Sequence, residues 1–297
     1  VASLTRARLP PQFSRKALMH LVRCSSSSRW AVRAADGYRA LPAGFSLGDA
    51  LSADLAHFRT LLDTAAERFD EVTPGAPVDP DTEVWAAGVT YRQSREARVE
   101  ESTEPDIYQR VYDAERPELF FKSIGRRVRG HDEAIGVRPD STWDVPEPEL
   151  AVVVTAGGEI AGYTVCDDVS SRSIEGENPL YLPQAKMFAG ATALGPGIRP
   201  AWEIPDPYAL EIEMTIFRGG EVAWEGTSGT GQLHRRLDDL VGYLFRADRY
   251  PRGVILSTGT GLVPGQDFTL TPGDRVQIRV DGVGTLANDV LPALEIG

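Results

Sequence analysis

The chain has 297 residues, 42% hydrophobic and 25% charged, the balance of an ordinary globular protein with room for one large core or two unequal domains. A formal net charge of −12 opposes approach to phosphate backbones and anionic lipid, so neither nucleic acid nor a membrane surface is an expected partner. No apolar run approaches the roughly 20 residues needed to span a bilayer, and Cys24 and Cys166 lack the spacing of a zinc site or a disulfide framework, which suits a reducing cytoplasm.

Residues 1–18 are basic and broken by Pro10 and Pro11, without the apolar stretch of a secretory signal. They read as a disordered or mis-started extension, with Met19 as the expected true start. Residues 19–73 read as a small N-terminal α/β domain. Strand-like runs at 20–23 and 30–33 flank a serine turn. Ser46 and Asp49 then open a helical pattern in which Leu47, Leu51, Leu55, Phe58, Leu62, Ala65 and Phe69 share a face as far as Asp70. The proline-rich stretch 74–82 reads as a linker. From residue 83 to 297 strands dominate. The run 83–89 opens into T-Y-R-Q-S-R-E-A, which resembles a strand-to-helix turn. A helix over 108–115 is halted by Pro117. Further strands are expected at 210–217, 254–257, 275–280 and 285–290, with one helix over 233–246. The fold class is α+β, mainly β.

The chemistry concentrates in V-P-E-P-E-L-A-V-V, 145–153, and C-D-D-V-S-S-R-S, 166–173. Glu147 and Glu149 are two apart at the start of a strand, so both carboxylates point to one face. Like charges on one face repel unless something positive sits between them, and a hard divalent cation with oxygen ligands is the usual answer. Asp168 follows a second apolar run, 160–166, and closes a three-carboxylate site if the two runs pair. The residues after Glu149 are apolar without alternation, which predicts a strand buried on both faces. Charges leading into such a strand need a partner.

Other candidates are weaker. Lys122 follows Phe120 and Phe121, and Lys186 ends the turn-rich N-P-L-Y-L-P-Q-A-K. Beside a carboxylate-bound metal, either lysine suits a substrate carboxylate or keto oxygen. Glu118, between Pro117 and the Phe pair, suits a base with a raised pKa. The Gly-rich loop 257–265 presents Thr258, Thr260 and backbone N–H groups to an anionic ligand, but lacks the lysine and spacing of a P-loop. No G-x-G-x-x-G leads a strand into a helix, so no nucleotide or organic cofactor is expected. His20, His57, His131 and His234 have no metal-ligand spacing.

In order, F-F-K (120–122), E-P-E (147–149), G-Y-T-V-C-D-D-V-S-S-R (162–172), L-S-T-G-T (256–260) and G-V-G-T-L-A-N (282–288) resemble the fumarylacetoacetate hydrolase superfamily. The resemblance implies a mixed β-roll catalytic domain over 83–297 behind a small N-terminal domain. It further implies a homodimer or dimer of dimers, and Mg²⁺, with Mn²⁺ or Ca²⁺ as alternatives, held by Glu147, Glu149 and Asp168. The segments 111–122, 141–150 and 177–186 are similar to the 2-keto-3-deoxy-D-arabinonate dehydratase-like branch. One departure matters. The hydrolases carry a histidine after the first strand of this domain, in a pattern like N-Y-x-x-H, and here Ser94 stands in its place.

Without that water-activating base, elimination is favoured over C–C hydrolysis. The leading expectation is a metal-dependent hydro-lyase acting on a small anionic 2-keto-3-deoxy sugar acid through a metal-stabilised enolate. Glu118 is the expected base, Lys186 holds the carboxyl/keto end, and Ser94 and Arg95 face the substrate on the lid side. The alternatives are a C–C hydrolase of a 2,4-diketo acid and a catalytically silent sugar-acid-binding protein.

Overall fold

The computed structural model describes residues 19–34, 37–69, 72–93 and 105–297. The expected extension at 1–18, and Ser94 and Arg95, lie outside the described residues. Among the described residues, seventeen strands carry the fold. In the N-terminal part these are β1 His20–Arg23, β2 Trp30–Ala34, β3 Gly37–Ala40 and β4 Glu67–Phe69. There follow β5 Glu83–Gly88, β6 Glu118–Ile124, β7 Ile135–Val137, β8 Asp144–Val145, β9 Pro148–Val154, β10 Ile160–Asp168 and β11 Ser170–Ser171. The last are β12 Thr192–Pro200, β13 Glu211–Arg218, β14 Glu221–Gly229, β15 Val254–Ser257, β16 Asp274–Val280 and β17 Gly284–Pro292. No helix among the described residues is long and apolar enough to cross a membrane.

A ten-stranded sheet runs in the order β4-β3-β2-β1-β12-β10-β9-β15-β5-β6, and a five-stranded sheet in the order β14-β13-β16-β17-β7. The N-terminal strands join the large sheet through Leu21 opposite Ile198. Strand β9 lies near its middle, antiparallel to β10 and to β15. Every residue of β9 is buried, as its unbroken apolar run requires. Leu150, Val152 and Val154 pack into a core shared with Met214, Ile278 and Leu286 of the small sheet. Ala151 and Val153 face a second core closed by Leu47, Leu51 and Phe58. The alternation of a strand thus serves two cores instead of one core and solvent.

Two helices depart from the periodicity. The pattern expected to run unbroken to Asp70 is two helices, Leu47–Leu51 and Leu55–Leu62, followed by β4. Ser46 caps the first by accepting from the Asp49 N–H, and Asp54 restarts the second by accepting from the His57 N–H. Residues 67–69 pair with β3 instead of continuing the helix. The helix expected over 233–246 is only Leu237–Leu244, because the His234 N–H donates to the Thr90 carbonyl at 2.9 Å and fixes the preceding backbone as a bridge to Tyr91. The stretch 74–82 carries Ala76 and Val78 into the second core.

Leu256, fully buried on β15 between β9 and β5, tests how tightly the large sheet is packed. Leu256→Ala removes buried methyl groups and leaves a cavity. It should lower stability by about 2–5 kcal/mol, read as a shift in the urea unfolding midpoint at unchanged slope.

Candidate active site

The register between β9 and β10 places the acidic residues. Cys166 stands opposite Glu149 and Asp167 opposite Pro148, and the Asp168 N–H donates to the Glu147 carbonyl at 3.0 Å. Pro148 is tolerated as the first residue of its strand. Glu147 and Glu149 are two apart along the β9 segment, and Asp168 is two beyond Cys166 along β10, so all three carboxylates emerge on one face. They offer ligand oxygens within 4.8 Å of one another, and all three residues are buried. Among the described residues this is the one such group.

Each carboxylate is held by a different part of the chain. Ser257 Oγ donates to Glu149 Oε2 at 2.5 Å, and the Gly259 N–H donates to the same oxygen at 2.7 Å. Gly259 has φ +90°, and a Cβ there would meet Thr90 Oγ1 at 1.9 Å, so this donor depends on glycine. Ser170 Oγ donates to Glu147 Oε1 at 2.9 Å, and Arg172 Nη2 reaches the same oxygen at 2.9 Å. Lys186 Nζ bridges Glu147 Oε2 at 2.8 Å and Asp168 Oδ2 at 3.1 Å. Lys122 Nζ stands 2.7 Å from Asp168 Oδ1.

Burial, followed by the neighbouring charges of Asp168 and Glu147, pushes the Glu149 carboxyl up to about 8, against the Ser257 hydrogen bond and the Lys186 charge. Asp167, one residue before Asp168 on β10 and therefore on the opposite face, is also fully buried. Its carboxyl has no hydrogen-bond partner among the described residues. Burial and Asp168 push it up to about 8 as well.

The triad opens on a cleft also bordered by Glu118, Glu175, Leu182, Lys186 and Thr260. Its cavity is about 10 Å³, room for a single water-sized body. Three larger cavities, of about 380, 330 and 340 Å³, contain none of the triad. Glu118 reaches the cleft because its partner across the β5–β6 ladder is Gly88. A Cβ on Gly88 would lie 2.1 Å from Glu118 Oε2. The next residue, Val89, has φ 53°, a left-handed conformation that a β-branched side chain rarely adopts. It turns the chain out of β5 at the cleft wall, where backbone strain is commonly stored.

The remaining candidates separate. Lys122 is wholly buried behind the triad, donating also to the carbonyls of Val169 and Lys186, and is not among the residues bordering the cleft. Thr258 gives its hydroxyl to the Leu150 carbonyl at 2.7 Å. Thr260 borders the cleft, while its hydroxyl donates to the Pro148 carbonyl at 2.9 Å. Reading the sequence missed Arg172, Ser170, Ser257, the Gly259 N–H and Glu175. A signal existed for Arg172 alone, as the one basic residue of the stretch 160–177, which is otherwise charged only by acidic side chains.

Three oxygen donors on one buried face, with no sulfur or imidazole among them, fit a hard divalent cation. Glu149, whose carboxyl is pushed up to about 8 by burial and then by the charges of Asp168 and Glu147, is the group whose charge such an ion would restore.

A family model described as fumarylacetoacetate (FAA) hydrolase C-terminal matches residues 83–291. The chain is 50% identical over 242 residues to a protein of Haloferax volcanii named probable 2-keto-3-deoxyxylonate dehydratase, covering 82% of each chain. It is 48% identical over 218 residues to the 2-dehydro-3-deoxy-D-arabinonate dehydratase of Saccharolobus solfataricus, covering 72% of this chain and 73% of that one. A solved 2-keto-3-deoxy-D-arabinonate dehydratase complexed with magnesium and 2,5-dioxopentanoate superposes with a TM-score of 0.80 at 37% identity, over 93% of this chain and 98% of that one.

The raised Glu149 carboxyl makes cation binding proton-linked. Below about pH 8 the metal-free site keeps that proton, and a cation must displace it. At pH 7, Mg²⁺ binding should therefore release about one proton, and affinity should rise with pH up to about 8 and level off above it. Calorimetry in buffers of different ionisation enthalpy measures this directly. Proton-neutral, pH-independent binding would contradict it.

Proposed function

Because the chain belongs to the fumarylacetoacetate hydrolase family, we infer that it is a metal-dependent dehydratase of a 2-keto-3-deoxy sugar acid such as 2-keto-3-deoxy-arabinonate. The observation that carries this reading is the meeting of the buried triad, Glu118 and Lys186 at one cleft. Glu147, Glu149 and Asp168 are the proposed ligands of Mg²⁺. A divalent cation bound there supplies Lewis-acid stabilisation of the negative charge that develops on the keto oxygen.

The chain's own residues do the rest. Lys186, the last residue of the helix Leu182–Lys186, offers its ammonium group to the carboxylate and keto end of the substrate. Glu118 removes the C3 proton. The C4 hydroxyl takes a proton from a carboxyl or a bound water and departs as water, and every carbon stays in one molecule. Ser94 stands where the hydrolases carry their histidine, which favours elimination. To the same reading belong Mg²⁺, with Mn²⁺ or Ca²⁺ as alternatives, a homodimer or dimer of dimers, and a reducing cytoplasm, consistent with Cys24 and Cys166 both being free.

Purified protein with Mg²⁺ should convert C5 or C6 2-keto-3-deoxy acids to single products lighter by one water, read by mass spectrometry. Two acids as products would mean hydrolysis, and unconsumed substrate would mean a binding protein. Glu147→Gln should abolish Mg²⁺-dependent turnover with an unchanged circular dichroism spectrum. Near-normal turnover and metal affinity in that variant would remove Glu147 from the site.

Glu118→Gln keeps the shape of the side chain but cannot accept the proton. Its kcat should fall about 100- to 10,000-fold while Mg²⁺ affinity stays within threefold of the parent protein. A kcat within a factor of two would assign the base elsewhere.

A further inference from the structure

The mechanism above leaves one cleft carboxylate without a role. Glu175 lies one turn along the helix Arg172–Glu177, which Ser171 caps by accepting from the Ile174 N–H. It is 4% exposed and borders the same cleft as Glu118, Leu182 and Lys186. Arg172 Nε stands 4.0 Å from Glu175 Oε2 at the i,i+3 spacing that puts both on one helix face. The same guanidinium reaches Glu147 Oε1 at 2.9 Å. Arg172 therefore links Glu175 to the triad, and the short capped helix fixes where the carboxylate can be.

We propose that Glu175 is a specificity-determining residue that selects substrates with a hydroxyl-bearing tail and rejects those that end in a second carboxylate. The proposal rests on the dehydratase reading for the location of the substrate's keto-acid head at the triad and Lys186. The argument is one of hydrogen-bond polarity. An ionised carboxylate only accepts, and its two oxygens offer about four lone-pair sites. The Arg172 guanidinium, 4.0 Å from Oε2, offsets the charge and adds no donor to the Glu175 side chain. A sugar-acid hydroxyl can donate to such a group. A substrate carboxylate cannot, and it also brings like charge into a place where water is scarce. A site built around a buried acceptor discriminates strongly, because the wrong ligand leaves polar groups unsatisfied. Among the described residues bordering the cleft, Glu118, Glu147, Glu149, Asp168 and Glu175 are acidic and only Lys186 is basic. The keto-acid head claims Lys186 and the cation, so acceptors dominate what remains for the tail.

The test uses ligands that differ only at the tail, titrated calorimetrically into the Mg²⁺-loaded protein. These are 5-hydroxy-2-oxopentanoate, 2-oxopentanoate and 2-oxoglutarate, bearing hydroxyl, methyl and carboxylate ends. The parent protein should bind the hydroxyl ligand at least tenfold more tightly than 2-oxoglutarate, with the methyl ligand between them. Glu175→Gln, whose amide donates as well as accepts, should shrink that gap at least threefold. A gap under tenfold in the parent protein overturns the proposal, and so does a gap that shrinks less than threefold in the variant. The parent measurement stands alone if the variant does not fold. Binding is read without turnover, so a protein that discriminates the tails yet leaves sugar acids intact fails the dehydratase reading and keeps this one.

Discussion

Three carboxylates share one buried face, and the rest of the molecule is arranged around that burden. Removing an ion from water costs several kcal/mol even after relaxation, and placing three like charges together adds repulsion. The chain offsets this with three cationic side chains from separate elements, Lys122 on β6, Arg172 at the start of one short helix and Lys186 at the end of another. Neutral donors add to them, namely Ser170, Ser257 and the Gly259 N–H. Even so, Glu149 keeps its proton to about pH 8. The site is poised for more positive charge than the protein alone brings to it.

That poise demands a rigid base, which the sheet provides. A slip of one residue between β9 and β10 would put Asp168 on the face opposite Glu147 and Glu149. The register is held by an apolar strand packed into cores on both sides, so sliding it would bury Glu149 in hydrocarbon. The small sheet closes one core and the N-terminal helices close the other. Regions far from the chemistry thereby fix a geometry they do not touch.

The other side of the cleft is built from a turn and two short helices. Glu118 enters past the missing side chain of Gly88, and Val89 turns the chain away in a strained conformation. Lys186 and Glu175 come from short helices whose ends are tied by Lys122 to the Lys186 carbonyl and by the Arg172 N–H to the Trp143 carbonyl. The cleft as it stands holds about 10 Å³, too little for a five-carbon acid.

Much of the site was legible in the sequence because strand geometry converts spacing into direction. An i,i+2 pair of glutamates must share a face, and a non-alternating apolar run must be buried on both, so Glu147, Glu149 and the setting of β9 followed from the residues alone. Asp168 followed only on the condition that the two runs pair. Local periodicity failed where competing bonds intervened, as when Asp54 restarted a helix and Thr90 held the backbone at His234. Tertiary structure alone decided that Lys122 stands behind the triad, that Thr258 and Thr260 spend their hydroxyls on backbone carbonyls, and that Arg172, Ser257 and Glu175 belong to the site. The physical reason is distance along the chain. Ser257 donates to a carboxylate 108 residues away, and no local rule specifies which donor will meet a buried charge once the sheet has closed.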